Sequence, residues 1–374
     1  MTRIVFWQYL VSMTDLPYIV ELINNPIIYE VVIIAKQLSK VRKDMGWDTD
    51  IPGLERCKLY VEPNNEIVEN IISKDTENSV HLFSSINVYP HVFDAFKISL
   101  KYNVKRGIIC ERPMTYWHGI DWAKPLWLHR MKFIIENGKY IKYINYVFGM
   151  GQECCDYYRS ISKKWIIFPF AYCTRGNALP NVSSGDVCKV AFVGGLSIRK
   201  DVITLLKAAK RLKSKGLEKD FSFFIIGDGS QKEKLQNFVK ENDLQNIHFL
   251  GMRQNREVPS LLAQQDIFVL PSIHDGWGAV VNEALQAGLY TIASDRCGSK
   301  ELLYDKRRGV IFPLKDDKKL SQQLENCFQN LQEIRSNVNY RKTWAEQAIC
   351  GKVIANYMVD CLIGKQVERP WFCQ

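Results

Sequence analysis

Short hydrophobic runs recur along the chain, and between them lie stretches whose apolar positions repeat every three to four residues. The first pattern predicts strands buried on both faces of a parallel sheet, and the second predicts helices packed against it. The second half is the more regular. It predicts strands at 189–193, 221–226, 247–250, 267–270, 290–293 and 309–312, helices at 202–213, 232–242, 258–264 and 299–304, and a long helix from Asp317. Six strands alternating with helices predict a doubly wound, Rossmann-like α/β domain. The first half predicts strands at 3–11, 30–35, 80–84, 107–110 and 146–149, with a helix opening at Leu16 and helical stretches between. Trp7-Gln8-Tyr9-Leu10-Val11-Ser12 stands where a Gly-rich phosphate loop would follow the first strand, which argues against a nucleotide at that edge.

Small and polar residues dominate 172–185 and set the domain boundary there. The expected organisation is a first domain at 1–172, a linker at 173–187, a second domain at 188–340, and a segment 341–374 whose amphipathic helix to Leu362 is surplus to the second domain. A chain of 374 residues suits two domains of ordinary size, and 47% hydrophobic with 24% charged residues excludes a disordered chain.

The apolar start is too short, and too broken by Gln8 and Asp15, for a signal peptide. No run of eighteen apolar residues predicts a transmembrane helix. Eleven cysteines without a C-x-x-C pair suit a reducing compartment, so a cytoplasmic protein is expected, with Asn181-Val182-Ser183 a plain linker tripeptide. The net charge of +10 points to an acidic partner. Between Lys101 and Asn145 nine Lys or Arg face three acids, with Trp117, Trp122 and Trp127 in the same window. Basic residues interleaved with Trp suit an anionic membrane surface; a basic solvated face with Trp in the core is the bland alternative, and nucleic acid is the competitor set aside.

The chemistry gathers at 271–288, which reads as strand end, turn and helix. Pro271 stops the strand, Gly276 and Gly278 permit a tight turn, and 279–287 is helix-forming up to the capping Gly288. Asp275 then sits at the C-terminal end of a strand, with Glu283 two turns down the helix. In an open parallel sheet that crevice takes ligands, and the start of a helix takes a phosphate. Gly194-Gly195-Leu196-Ser197-Ile198-Arg199-Lys200 follows the first strand of the same domain, and its two cations at a helix start call for an anion.

These residues resemble the E-x7-E signature of retaining GT-B glycosyltransferases, glycosyltransferase family 4, the kind that builds bacterial surface polysaccharide, with Asp275 in place of the first Glu. The resemblance implies a GT-B fold: two Rossmann-like domains facing across a cleft, with a C-terminal helix crossing back to the first. It implies that Asp275 faces the donor sugar, that Gly276, Trp277, Gly278, Ala279 and Val280 wrap the diphosphate, and that Glu283 binds the nucleotide ribose. Lys200 matches the family Lys that grips the diphosphate beside Gly194. Gly195 stands where many members carry Arg, a role expected to pass to Arg199 or to be met by a flipped loop. Gly227-Asp228-Gly229 matches the family's G-x-G, and Gly251-Met252-Arg253 falls where members contact the base.

The activity implied is metal-independent, cofactor-free transfer of a sugar from a nucleotide-diphosphate donor to a polysaccharide or lipid-linked acceptor, of O-antigen, capsule or lipopolysaccharide type. It implies a front-face mechanism in which the leaving diphosphate helps deprotonate the acceptor. Glu111 and His118 are the candidate general bases. Asp48-Thr49-Asp50 has the form of a D-x-D metal motif but lacks its strand context. Competing readings are a GT-B sugar-nucleotide epimerase and a non-catalytic subunit of a membrane-associated transferase complex. An NAD dehydrogenase is disfavoured because no G-x-G-x-x-G follows a strand.

Overall fold

The computed structural model describes residues 1–36, 53–114, 125–174 and 185–372. The chain divides into two compact units. The first takes in Met1–Pro113, Lys124–Thr174 and the C-terminal Ala348–Gln374, and the main part of the second is Arg175–Gln347.

The first unit carries strands β1 (Thr2–Leu10), β2 (Ile28–Lys36), β3 (Lys58–Val61), β4 (Ser79–Ser84), β5 (Lys105–Cys110), β6 (Tyr146–Met150) and β7 (Ile166–Phe170). They form one sheet in the order β3-β2-β1-β4-β5-β6-β7, every neighbouring pair parallel. The central strands are apolar on both faces, as helices on both sides of a parallel sheet require: Ile4–Trp7 and Val31–Ala35 are all buried. Two strands go beyond the five expected. β3 is a short edge strand without a continuous apolar run. β7 contains Pro169, which removes a ladder donor and is tolerated because β7 lies at the sheet edge.

The second unit carries β8 (Cys188–Val193), β9 (Phe221–Ile226), β10 (Ile247–Gly251), β11 (Ile267–Leu270), β12 (Tyr290–Ser294) and β13 (Gly309–Phe312), in the order β10-β9-β8-β11-β12-β13, again all parallel. This is the doubly wound order. The winding reverses between β8 and β11, which pair directly through Ile267 with Val190 and Phe268 with Ala191.

The single helix expected over 341–362 is two, Val338–Ile349 and Gly351–Leu362. The break falls where the chain packs onto the helix Leu16–Leu22: a Cβ on Gly351 would lie 2.1 Å from the Pro17 carbonyl oxygen, so only glycine allows that approach. The second of these helices belongs to the first unit, where the Tyr357 hydroxyl donates to the Pro169 carbonyl at 2.9 Å and the Tyr357 ring meets the buried Trp371. The predicted helix at 299–304 is a 3₁₀ turn, Gly298–Leu303.

Candidate active site

β8 and β11 are neighbours, so the loops leaving their C-terminal ends meet. The Ile273 backbone N–H donates to the Arg199 carbonyl at 2.8 Å, and Arg199 Nη1 donates to the His274 carbonyl at 2.9 Å. Lys200 Nζ lies 2.5 Å from Asp275 Oδ2, and Arg199 Nη1 lies 3.5 Å from the same oxygen. Lys200 and Asp275 are each 13% exposed, whereas Arg199 is 38% exposed. Burial alone would raise the Asp275 carboxyl, but Lys200 and then Arg199 outweigh it and hold it below the ordinary carboxylate range. The cations are therefore already answered within the chain: Asp275 supplies the anion that the cation pair calls for. Arg199 and Lys200 also precede the helix rather than cap it, because Ile198–Lys200 is a 3₁₀ turn and the helix runs Val202–Ser214.

The Asp275 loop rests on the loop after β12. Asp275 N–H donates to the Arg296 carbonyl at 3.3 Å, Gly298 N–H to the Asp275 carbonyl at 3.1 Å, and Ser299 N–H to the Trp277 carbonyl at 2.8 Å. Gly298, which the sequence did not flag, is what makes this possible: a Cβ there would lie 2.2 Å from the Gly276 carbonyl oxygen. Gly278 has φ of +92°, with Leu270 and Ser299 close to where its Cβ would be. Trp277 is fully buried and its indole N–H donates to Asn282 Oδ1 at 2.9 Å, so only its backbone can face a ligand.

The helix behind this loop is Val280–Gln286, with Ala279 as its N-cap. It is shorter than the 279–287 expected, and two turns of aligned peptides make a weak dipole. Attraction for an anion must come mainly from Lys200 and Arg199. Glu283 is half-buried on this helix, and its carboxyl has no hydrogen bond or ion pair among the described residues. Desolvation pushes its carboxyl up to about 7, opposed only by Lys200. Near neutral pH the cluster thus holds two cations, one carboxylate and a second that is partly protonated.

The β9 loop completes the floor. Gly194 N–H donates to the Ile226 carbonyl at 3.0 Å, Leu196 N–H to the Asp228 carbonyl at 2.9 Å, and Gly227 N–H to the Gly251 carbonyl at 2.8 Å. Gly195 is exposed, while Ala279 and Val280 are half-exposed. Gly251 has φ of +72° with open space around it, and Arg253 is exposed.

In the first unit Glu111 is exposed just beyond β5, where it hydrogen-bonds the Tyr172 hydroxyl. Burial, then Glu111, push the nearby Asp15 carboxyl up to about 7, against a hydrogen bond from Tyr18 that lowers it. Gln8 Nε2 and the Tyr18 hydroxyl donate to Asp15 at 3.2 and 3.3 Å. Asp15 escaped sequence reading, being one more polar residue after a strand. His118 and Asp48-Thr49-Asp50 lie outside the described residues. Among the described residues no group of three His, Cys, Asp or Glu is placed to hold a metal ion.

Two doubly wound parallel sheets define the GT-B fold, and solved glycosyltransferases share it. The lipopolysaccharide outer core galactosyltransferase WaaB in its apo form matches with a TM-score of 0.67 at 15% identity, over 98% of this chain and all of that one. Anabaena HepE, solved with UDP and glucose, matches with 0.68 at 12% identity, over 97% of this chain and 100% of that one. Residues 181–348 match the family model "Glycosyl transferases group 1". An uncharacterized glycosyltransferase of Methanocaldococcus jannaschii is 30% identical over 164 residues, 44% of this chain and 43% of that protein. A UDP-Gal:alpha-D-GlcNAc-diphosphoundecaprenol alpha-1,3-galactosyltransferase of Escherichia coli is 32% identical over 126 residues, 33% of this chain and 32% of that one. These matches span less than half the length of either relative.

Proposed function

We propose that the protein is a retaining glycosyltransferase that moves a sugar from a nucleotide-diphosphate donor to a hydroxyl of a polysaccharide or lipid-linked oligosaccharide. The observation that carries this reading is the convergence of Lys200, Arg199 and Asp275 at the strand ends where the winding of the second sheet reverses. A diphosphate draws Lys200 and Arg199 away from Asp275, which is then free to accept hydrogen bonds from the sugar. Glu283 takes the ribose hydroxyls. In the transfer the bond from the anomeric carbon to the diphosphate breaks, and the acceptor oxygen bonds to that carbon on the same face. The acceptor proton passes to the departing phosphate oxygen.

Lys200 and Arg199 stabilise the charge that develops on the leaving group, the kind of preorganised electrostatics that supplies most of such a rate enhancement, so no metal ion is assigned a role. The acceptor class is supported by relatives such as the Escherichia coli enzyme named for a diphosphoundecaprenol-linked sugar. Glu111, with Asp15 beside it on the first unit, is the general-base candidate only for the alternative in which the departing phosphate does not take the acceptor proton. Contact with an anionic membrane surface through 101–145, at the inner face of the plasma membrane, is part of the same reading.

Incubating the protein with a panel of nucleotide sugars, with and without a lipid-linked acceptor, tests it. One donor should give a glycosylated acceptor with the donor's anomeric configuration. An altered sugar nucleotide formed without acceptor would mean an epimerase, and no turnover with any donor would leave a binding subunit.

A further inference from the structure

The helix Leu126–Asn137 in the first unit is apolar on both sides. Its inner side is anchored by Leu126 and Phe133, the latter edge-on to Tyr158 and Trp165 at 5.9 and 6.3 Å. At 100° per residue the opposite side should be polar on a soluble protein. It is not. Ile134, Trp127, Met131, Ile135 and Leu128 fill one continuous outer arc in that angular order, and they are 38%, 59%, 51%, 79% and 42% exposed. Arg130 borders the arc on one side and Lys132 on the other, both exposed.

The charge around this face is cationic. Within 125–145 Arg130, Lys132, Lys139 and Lys142 stand against Glu136 alone, and all four cations are exposed. Two other cations of the wider window serve the fold instead. Arg106 is buried on the Ser99 hydroxyl and nearby carbonyls, and Arg112 pairs with Glu153, whereas Lys132 lies 3.7 Å from Glu136 in an exposed pair that leaves it open to solvent. The basic surface is thereby concentrated beside the apolar arc. Next to it Tyr143 is 37% exposed, with Lys142 Nζ 4.9 Å from its ring centre.

We propose that this helix face docks the protein onto an anionic lipid bilayer, with Trp127, Met131 and Ile135 entering the interfacial layer and Arg130 and Lys132 reaching lipid headgroups. The proposal sharpens the surface contact that is part of the proposed function, but it stands on the first unit alone. Size argues against a second copy as the occupant. Twelve residues make a helix about 18 Å long and about 10 Å wide, a footprint on the order of 200 Å², against the roughly 800 Å² per partner of a stable protein interface. A bilayer needs no complementary surface. An apolar face flanked by cations is the pattern of a helix lying in the membrane plane.

The test uses the full chain in flotation with phosphatidylcholine vesicles and with vesicles containing about one-third phosphatidylglycerol, whose anionic surface attracts basic segments. The protein should float with the anionic vesicles, less so with neutral ones, and should be released by high salt. The variant Trp127→Glu/Ile135→Glu should lose at least tenfold in partitioning while keeping its melting temperature and its nucleotide-sugar binding, which depend on other residues. Equal partitioning of variant and parent, or no flotation of the parent, would overturn the proposal. So would lipid-free self-association, seen by sedimentation velocity, that the same variant abolishes, because the face would then belong to a second copy. Donor binding is measured on the same samples, so failure of the membrane proposal and failure of the transfer reading are told apart.

Discussion

The loops after β8 and β9 each carry two glycines, and Gly195 of the first exists for a different physical reason from Gly227 and Gly229 of the second. In the β9 loop a Cβ on Gly227 would lie 1.9 Å from the Gly194 carbonyl oxygen, and one on Gly229 would lie 2.6 Å from the Leu196 carbonyl oxygen. Those glycines let one backbone lie on another, and their φ angles of +140° and +157° suit no other residue. In the β8 loop a Cβ on Gly195 would come no nearer than 3.9 Å to anything, and Gly195 has no positive φ. That position is open space, with the Asp228 carbonyl oxygen alone within 4 Å, in the loop that leads to Arg199 and Lys200. A glycine motif is therefore not one signal: Gly227 and Gly229 build the floor, and Gly195 leaves room above it.

Substitutions should separate Gly227 from Gly195. Gly227→Ala pushes backbone against backbone in a strained conformation, and it should cost about 3 kcal/mol, as overpacking and φ strain do. For a domain of this size that lowers the unfolding temperature by roughly 6–12 °C, measurable by calorimetry. Gly195→Arg should leave the unfolding temperature unchanged within the roughly 0.5 kcal/mol of an ordinary surface change. It should also tighten nucleoside-diphosphate binding by about threefold, the scale of one half-exposed charge contact. A Gly195→Arg protein that unfolds as early as Gly227→Ala would erase the distinction.

The second sheet was legible because each of its strands is a short apolar run closed by Gly, Pro or a polar turn. The Asp275 and Lys200 loops were legible for the same reason: chemistry-bearing residues follow strand ends, and neighbouring strands bring them together. What the residues could not tell was who answers whom. Two cations at a helix start read as a request for a ligand, whereas Asp275, 75 positions away, already pairs with both.

Gly298 was invisible because its task, allowing the Gly276 carbonyl to approach, involves a loop far along the chain. In the first unit β7 was hidden by Pro169. Asp15 was hidden because its desolvation and the proximity of Glu111 arise only when β1 and β5 end on the same edge. The sequence left Trp127 open between a membrane-facing surface and the core, and its exposure together with that of Ile134 and Ile135 places it at the surface.

The central claim is that a diphosphate takes Lys200 and Arg199 over from Asp275. Calorimetric titration of a nucleoside diphosphate into the parent and into Lys200→Met tests it most directly. The methionine keeps the bulk and removes the charge, and losing one partner of a desolvated charge contact costs about 3 kcal/mol, so affinity should fall at least about 100-fold. A Lys200→Met protein that binds the diphosphate within threefold of the parent would contradict the account.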